Sequence, residues 1–358
     1  MQKKIIALAV AGLMSGAAFA QSNVTISGML DVGVNNAKTE GKSASNNAAY
    51  NNTATSSIIF RATEDLGGGM KAGVLVDSNI VATGFSISTT GAGAALFGSY
   101  QKYIFINGGF GELSFGQRTN FSTTTAVTAQ PFGTAMGSGY SGGFGRLRGY
   151  ASNAFGVFAA DSSTAGNRDL RADGSLRYDS PNMQGFTAGL SYKPKNVGTT
   201  ESTASTGHMN LGLNYANGPM KVSYAYAKIA NTDTATVTDD STKHNLLGAN
   251  FAFGPATVYA GYTTSKADNG AGTTTFDSRS WNLGLKYAVS GNVDLMANYL
   301  KDNDKTAAND DRKLFGLGMD YKLSKRTAAY LRYENRDSDT NAAGGKVTTY
   351  SAGLRHAF

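Results

Sequence analysis

Catalysis requires titratable or nucleophilic side chains brought to one place, and this chain offers few such sets. Histidine occurs three times, at 208, 244 and 356, on separate segments, and no pair has the spacing of metal ligands. Cysteine is absent, which removes thiol catalysis, thiolate metal sites and disulfides together. Gly139-Tyr140-Ser141-Gly142-Gly143 has the G-x-S-x-G form. A nucleophile elbow needs a strand before the serine and a helix after it, and neither is legible here, so the match reads as chance in a glycine-rich stretch. Asp302, Asp304, Asp310 and Asp311 crowd one polar segment and read as a solvated loop rather than a divalent-cation site. No catalytic residue, metal ligand or cofactor is assigned.

The basic side chains are more informative, because they interrupt apolar alternation. In 55–63, Ile58 and Phe60 on one face leave Arg61 on the other. In 98–106, Tyr103 and Phe105 are read as outward, which places Lys102 inward. In 170–180, outward Leu176 and Tyr178 leave Arg171 and Arg177 inside, and Arg118 ends a strand whose Leu113 and Phe115 face out. Between Glu112 and Asp161 there is no acidic residue, while the same stretch holds Arg118, Arg146 and Arg148. Unopposed positive charge lining a narrow, low-dielectric passage favours anions.

Such a lining needs a sheet closed on itself. Glycine is abundant at 45 residues and proline scarce at 5, a composition of strands and turns rather than helices. Period-two alternation recurs: Trp281, Leu283, Leu285 and Tyr287 against Asn282, Gly284 and Lys286, and Phe315, Leu317, Met319 and Tyr321 against Gly316, Gly318 and Asp320. Short connections such as Asn217-Gly218-Pro219 and Leu323-Ser324-Lys325 alternate with long polar ones such as 231–241 and 337–346. Tyr215, Tyr287 and Tyr321 precede short turns and Tyr192 follows one, as an interfacial girdle requires.

Sixteen strand segments are counted: roughly 23–35, 55–63, 70–81, 98–106, 112–118, 170–180, 186–193, 207–216, 220–231, 242–252, 256–266, 276–288, 293–302, 312–323, 326–337 and 347–358. The fold expected is all-β, a 16-stranded antiparallel transmembrane β-barrel. Its long third loop, from Thr119 to about Arg168, is read as lacking strands and folding into the lumen, where its aromatics pack and narrow the passage. Residues 1–20 read as a signal peptide: Lys3 and Lys4, an apolar run from Ile5 to Met14, then Ala18-Phe19-Ala20. Residues 21–358 form the barrel, in the cell outer membrane. The net charge of +7 is compatible with nucleic acid, lipopolysaccharide or anionic solutes, and export argues against nucleic acid.

Thr63-Glu-Asp-Leu-Gly-Gly-Gly-Met70, Leu176-Arg-Tyr-Asp-Ser-Pro181, Leu213-Asn-Tyr-Ala-Asn-Gly-Pro219, Asp320-Tyr-Lys-Leu-Ser-Lys-Arg-Thr327 and the closing Gly353-Leu-Arg-His-Ala-Phe358 run over nearly the whole chain. In that order they resemble the general diffusion porins of Gram-negative bacteria, in particular the β-proteobacterial branch. The resemblance implies a homotrimer of barrels in outer-membrane lipid and lipopolysaccharide, each passing small anions and hydrophilic solutes by passive diffusion. It implies a third loop facing a basic cluster, and a terminal Phe358 read by the barrel-assembly machinery. Gln130-Pro131-Phe132-Gly133 keeps the proline, phenylalanine and glycine of a loop motif that elsewhere carries an acid, and Ser57 stands where arginine is frequent. The missing acid fits an anion-preferring pore. Pro131, Phe132, Gly133, Arg146 and Arg148 are the expected constriction residues. The alternative is a substrate-specific channel for oligosaccharide or phosphate, since the loop is rich in aromatics. Ile59, Ile104 and Ile106 would face inward by strict alternation, and the sequence offers no account of them.

Overall fold

The computed structural model describes residues 23–50, 53–80, 100–133, 135–137, 171–194, 207–230, 241–268, 272–307, 309–339 and 345–358. Its strands, in chain order, are β1 (Asn23–Thr39), β2 (Ser45–Tyr50), β3 (Ser57–Gly67), β4 (Met70–Asn79), β5 (Gln101–Gly108), β6 (Gly111–Thr119), β7 (Arg171–Asp179), β8 (Phe186–Lys193), β9 (Gly207–Asn217), β10 (Met220–Ala230), β11 (Ser241–Phe253), β12 (Ala256–Asp268), β13 (Thr274–Ala288), β14 (Val293–Asp304), β15 (Arg312–Lys322), β16 (Thr327–Ser338) and β17 (Val347–Ala357). Among the described residues one short helix, α1 (Phe121–Thr128), follows β6.

Every sequential neighbour from β3 onward pairs antiparallel, and β17 returns to pair with β1, from Met29↔Ala357 to Thr39↔Val347. The sheet therefore has no open edge. In lipid, where nothing else can take an unpaired N–H or C=O, closure is the condition for a sheet to exist at all. The seam is finished by the last residue: Phe358 donates its N–H to Gly28 O at 3.0 Å and accepts from Gly28 N at 3.1 Å.

Seventeen strands make sixteen columns. β1 pairs with β3 along its first half and with β2 along its second, so β2 and β3 are two pieces of one column that resumes at Ser57. The fully buried Asp31 sits at the break. Its Oδ2 accepts from Thr53 N, Thr53 Oγ1 and Ala54 N at 2.5, 2.7 and 2.9 Å, and its Oδ1 accepts from Tyr330 OH at 2.6 Å. A carboxylate with four donors takes over the hydrogen bonds that the interrupted ladder cannot supply.

The wall is inverted relative to a water-soluble sheet. Its exposed side chains are large and apolar, among them Val34, Phe115, Leu190, Leu247, Leu283 and Leu331, while the other face buries Ser, Asn, Asp and Arg. Aromatic pairs rim both ends: Phe186–Tyr215 at the short turns, centroids 4.4 Å apart, and Trp281–Tyr299 toward the long loops, at 5.4 Å. Tyr192 stands at the long-loop end of β8, opposite Met209, not beside a short turn as read from the sequence. Three successive glycines, Gly67 to Gly69, all at positive φ, close the β3–β4 turn, a conformation other residues resist.

Candidate functional site

Register assembles the inner wall in rows. Arg61, Leu75, Tyr103, Gly116 and Ser175 are opposed across β3 to β7, and Thr63, Gly73, Phe105, Ser114 and Arg177 form the next row. Tyr103 and Phe105 are 9% and 4% exposed, while Ile104 between them is 61% exposed. The two rings therefore face inward, with Leu75 and Ile59 packed beside them. This corrects the sequence reading of β5: Lys102 shares the outward face with Ile104 and is not a lining residue, and Ile106 lies outward as well. The segment Tyr-Ile-Phe-Ile is apolar on both faces and carries no period. Only pairing with β4 and β6 decided which face turned in.

Arg61, Arg118, Arg171 and Arg177 all lie on the inner face, each against a ring. Arg61 stands 4.7 Å from the Phe105 centroid, Arg118 4.9 Å from Tyr103, Arg171 3.1 Å from Tyr100 and Arg177 3.8 Å from Phe121. Guanidinium groups stack on aromatic faces without surrendering their edge donors, so a ring holds the plane while the edge stays available. Two arginines also meet acids. Arg177 binds both oxygens of Asp179, at 2.6 and 2.8 Å, and Arg118 reaches Glu112 at 2.6 Å and Asp179 at 3.1 Å. The wall at this height is thus a mixed lattice in which carboxylates fix two of the four cations. Among the described residues no carboxylate lies within ion-pair distance of Arg61 or Arg171.

Residues 120–133 and 135–137, the described part of the third loop, lie against the inner wall of β8 to β16. The helix α1 was not expected in a run of threonines. Thr124 and Thr128 donate to the carbonyls of Phe121 and Thr124, and wall contacts override a poor intrinsic propensity. Asparagines on alternate strands, β9, β11 and β13, hold its backbone: Asn210 Oδ1 accepts from Phe121 N at 2.7 Å, Asn250 donates to Thr128 O at 2.9 Å, and Asn282 donates to Ala129 O at 2.7 Å. Glu334 Oε2 accepts from Gly137 N at 2.6 Å. Glycines on β8, β9, β13 and β15 leave the space. A Cβ at Gly189 or Gly212 would enter the Phe121 ring, at Gly284 Pro131, and at Gly318 Phe132. Of the expected constriction residues, Pro131, Phe132 and Gly133 belong to this segment; Arg146 and Arg148 lie outside the described residues, as do the Gly139–Gly143 motif and residues 1–20.

A second basic group escaped the sequence reading. Arg332 on β16 binds Asp320 at 2.6 Å and lies 5.7 Å from the Phe132 centroid, and Arg355 on β17 binds the other oxygen of Asp320 at 2.8 Å. Its signal was present, since Arg332 sits between outward Leu331 and Tyr333. The Asp302–Asp311 cluster closes its own turn: Asp304 accepts from Thr306 N and Asp310 N, and Asp310 binds Arg312 at 2.6 Å. Among the described residues no group of three metal-ligating side chains converges.

A closed antiparallel barrel with an apolar exterior, a charged interior and a loop segment laid on its inner wall defines a transmembrane β-barrel channel. The Gram-negative porin family model aligns with residues 7–356, and this chain belongs to that family, whose members are outer-membrane channels rather than enzymes. Outer membrane porin protein 32 of Delftia acidovorans is 31% identical over the full length of both chains. Solved structures share the fold, two of them as follows. The anion-selective porin from Comamonas acidovorans has a TM-score of 0.77 at 22% identity, covering 94% of this chain and 100% of its own. A trimer form of OmpT from Vibrio cholerae has a TM-score of 0.66 at 15% identity, covering 94% and 99%. The chain is a general diffusion channel of the outer membrane, crossing it many times with strands.

Proposed function

We propose that the pore prefers anions, and that Arg61, Arg118, Arg171 and Arg177 set the preference at the height of the third loop. The observation that carries this reading is the stacking of all four guanidinium groups on aromatic rings along one arc of the inner wall. Stacked cations keep a fixed position and need no reorganisation when an anion arrives. On the facing side the loop contributes no acid between Glu112 and Asp161, and Glu334 is engaged by Gly137 N. Arg146 and Arg148, outside the described residues, add two further positive charges and no acid to the same loop. Arg332 and Arg355, on β16 and β17, continue the basic lining across the seam beside β1 and β3.

The barrel works as a homotrimer with one pore per subunit, surrounded by outer-membrane lipid and lipopolysaccharide. It is exported by residues 1–20 and inserted by the barrel-assembly machinery, which reads Phe358. Substrate-specific oligosaccharide binding is less favoured, because the described loop aromatics Phe121 and Phe132 are buried against the wall and offer no face to a sugar. The test is single-channel recording in a planar bilayer under a KCl gradient. Anion preference gives a reversal potential toward that of chloride, and current steps grouped in threes report the trimer. A reversal potential toward potassium overturns the reading.

A further inference from the structure

The seat of the third loop buries two histidines that conduction does not use. His208 on β9 and His244 on β11 are 5% and 0% exposed, on the inner face beside α1. They flank β10: His208 is opposed to Ile229 and His244 to Ala227, so the rings stand diagonally across one strand. Asn120, the residue before α1, donates from Nδ2 to His208 Nε2 at 3.3 Å. That bond leaves the ring proton on Nδ1, and Nδ1 is buried without a partner. His244 shares one hydrogen bond with Ser265 Oγ through Nδ1, at 2.9 Å, and its Nε2 is buried without a partner.

Among the described residues no carboxylate faces either ring. From β8, Lys193 is opposed to His208. From β10, Ala225, Ala227 and Ile229 fill the face between the rings, and from β12, Thr263, Ser265 and Ala267 do the same beyond His244. The helix α1 reads Phe-Ser-Thr-Thr-Thr-Ala-Val-Thr and offers no titratable group. Its amino end, the positive end of its backbone dipole, follows Asn120 and so lies on the side of His208. Along the row of His244 the charged side chains are Arg177, four strands away and bound to Asp179, and Asp304, three strands away and accepting from the N–H groups of Thr306 and Asp310.

We propose that His208 and His244 make the loop seat acid-labile, so that protonation of the two rings releases α1 from the wall. A second proton on His208 must go to Nε2, where the Asn120 amide already points its own hydrogens. That bond is lost and two donors face each other. On His244, either direction of the Ser265 bond leaves the charged ring with a buried N–H that has no acceptor. Two cations and Lys193 then share a closed face without an acid, which burial makes costly. Water reaches the rings when α1 lifts, beginning at Phe121, whose N–H is held by Asn210 two residues from His208 on the same face of β9. An imidazole released to water takes a proton below about pH 6.5, so the seat holds above that range and weakens as pH falls through it. The Phe121 ring also carries Arg177, at 3.8 Å, so release reaches the pore wall as well as the loop. The inference concerns how the loop is held and is independent of anion preference in the pore.

The test is single-channel recording of the full barrel in a planar bilayer, with pH lowered from about 7 to about 4 on both sides. Each proton taken up favours the released loop by about tenfold per pH unit, so open-channel noise in the parent should climb steeply and reversibly below the imidazole range. H208Q/H244N keeps hydrogen-bonding groups and cannot take the protons, so it should stay as quiet as at neutral pH. H356Q removes the exposed histidine at the short-turn end of β17 and should respond as the parent does. An unboiled gel and an unchanged conductance at neutral pH report that each variant is folded. Nitrogen NMR of the histidine-labelled parent needs no folded double variant. With the His356 signal assigned by its loss in H356Q, the other two rings should become cationic over the pH range in which the noise rises. A parent that stays quiet overturns the proposal, and would mean that Asn120 turns its amide over to accept the new proton. Equal noise in parent and double variant also overturns it, as does noise that rises while the two buried rings remain neutral.

Discussion

At the scale of single residues, the inner wall is governed by what arginine can do that lysine cannot. A planar cation can lie flat on a ring and still direct its edge to acids, carbonyls or a passing ion. Arg177 does this most fully: its face is on Phe121, its Nε and Nη2 bind Asp179, and its Nη1 donates to Thr119 O at 2.6 Å. It ties wall to loop, whereas Arg171 has the Tyr100 ring on one side and the field of Asp77 nearby. Replacing Arg171 by Gln should lower the chloride-to-potassium permeability ratio roughly twofold, since one of a few fixed charges at the constriction is lost. Reversal potentials of R171Q and parent under one KCl gradient check this. Arg177→Gln should lower selectivity and also loosen the loop, which a rise in open-channel current noise would report. Quiet current from R177Q would show that the Phe121 contact does not hold the loop.

At the scale of elements, the segment from Phe121 to Gly137 is seated by a matched pattern on the wall: glycines for space, asparagines for its carbonyls. Each asparagine hydrogen bond contributes about 1 kcal/mol, so losing one should be tolerated and losing two should free that end of the segment. The double variant N250A/N282A should give noisier or larger conductance steps with the barrel still folded on an unboiled gel. Filling the space has a harsher effect. Leucine at Gly212 must displace the Phe121 ring, and overpacking of this kind costs about 1–3 kcal/mol. G212L is expected to raise conductance by expelling the segment from its seat, and an unchanged step would mean the wall yields instead.

At the scale of the whole molecule, stability comes from closure rather than from a central core. The seam between β1 and β17, the Phe358–Gly28 bonds and the Asp31 cluster all lie where the ends of the chain meet. Tyr330 joins the last hairpin to the first strand through its hydroxyl on Asp31, with both groups buried. Tyr330→Phe leaves a buried carboxylate oxygen without that donor and should cost about 1–3 kcal/mol. The urea midpoint of unfolding in lipid vesicles, followed by loss of the heat-modifiable gel band, measures it. A midpoint equal to the parent's would mean that water replaces the hydroxyl.

The sequence alone determined the barrel, because lipid on one side and water on the other impose period two on each spanning strand, and alternating turn lengths mark the two ends. Sixteen columns, the inward placement of Arg61, Arg118, Arg171 and Arg177, and the break in regular pairing after Thr119 were all legible this way. Tertiary structure decided what alternation cannot encode. In β5 the apolar run from Tyr103 to Ile106 has no polar member to mark a face, so pairing with β4 and β6 chose the inward rings and turned Lys102 outward. The meetings of Arg118 with Asp179, of Asp31 with Tyr330 and of Arg332 with Phe132 join residues 61, 299 and 200 positions apart only through register and closure. Period two tells which face a side chain takes. Which neighbours it finds there depends on how far each strand slides before the barrel shuts.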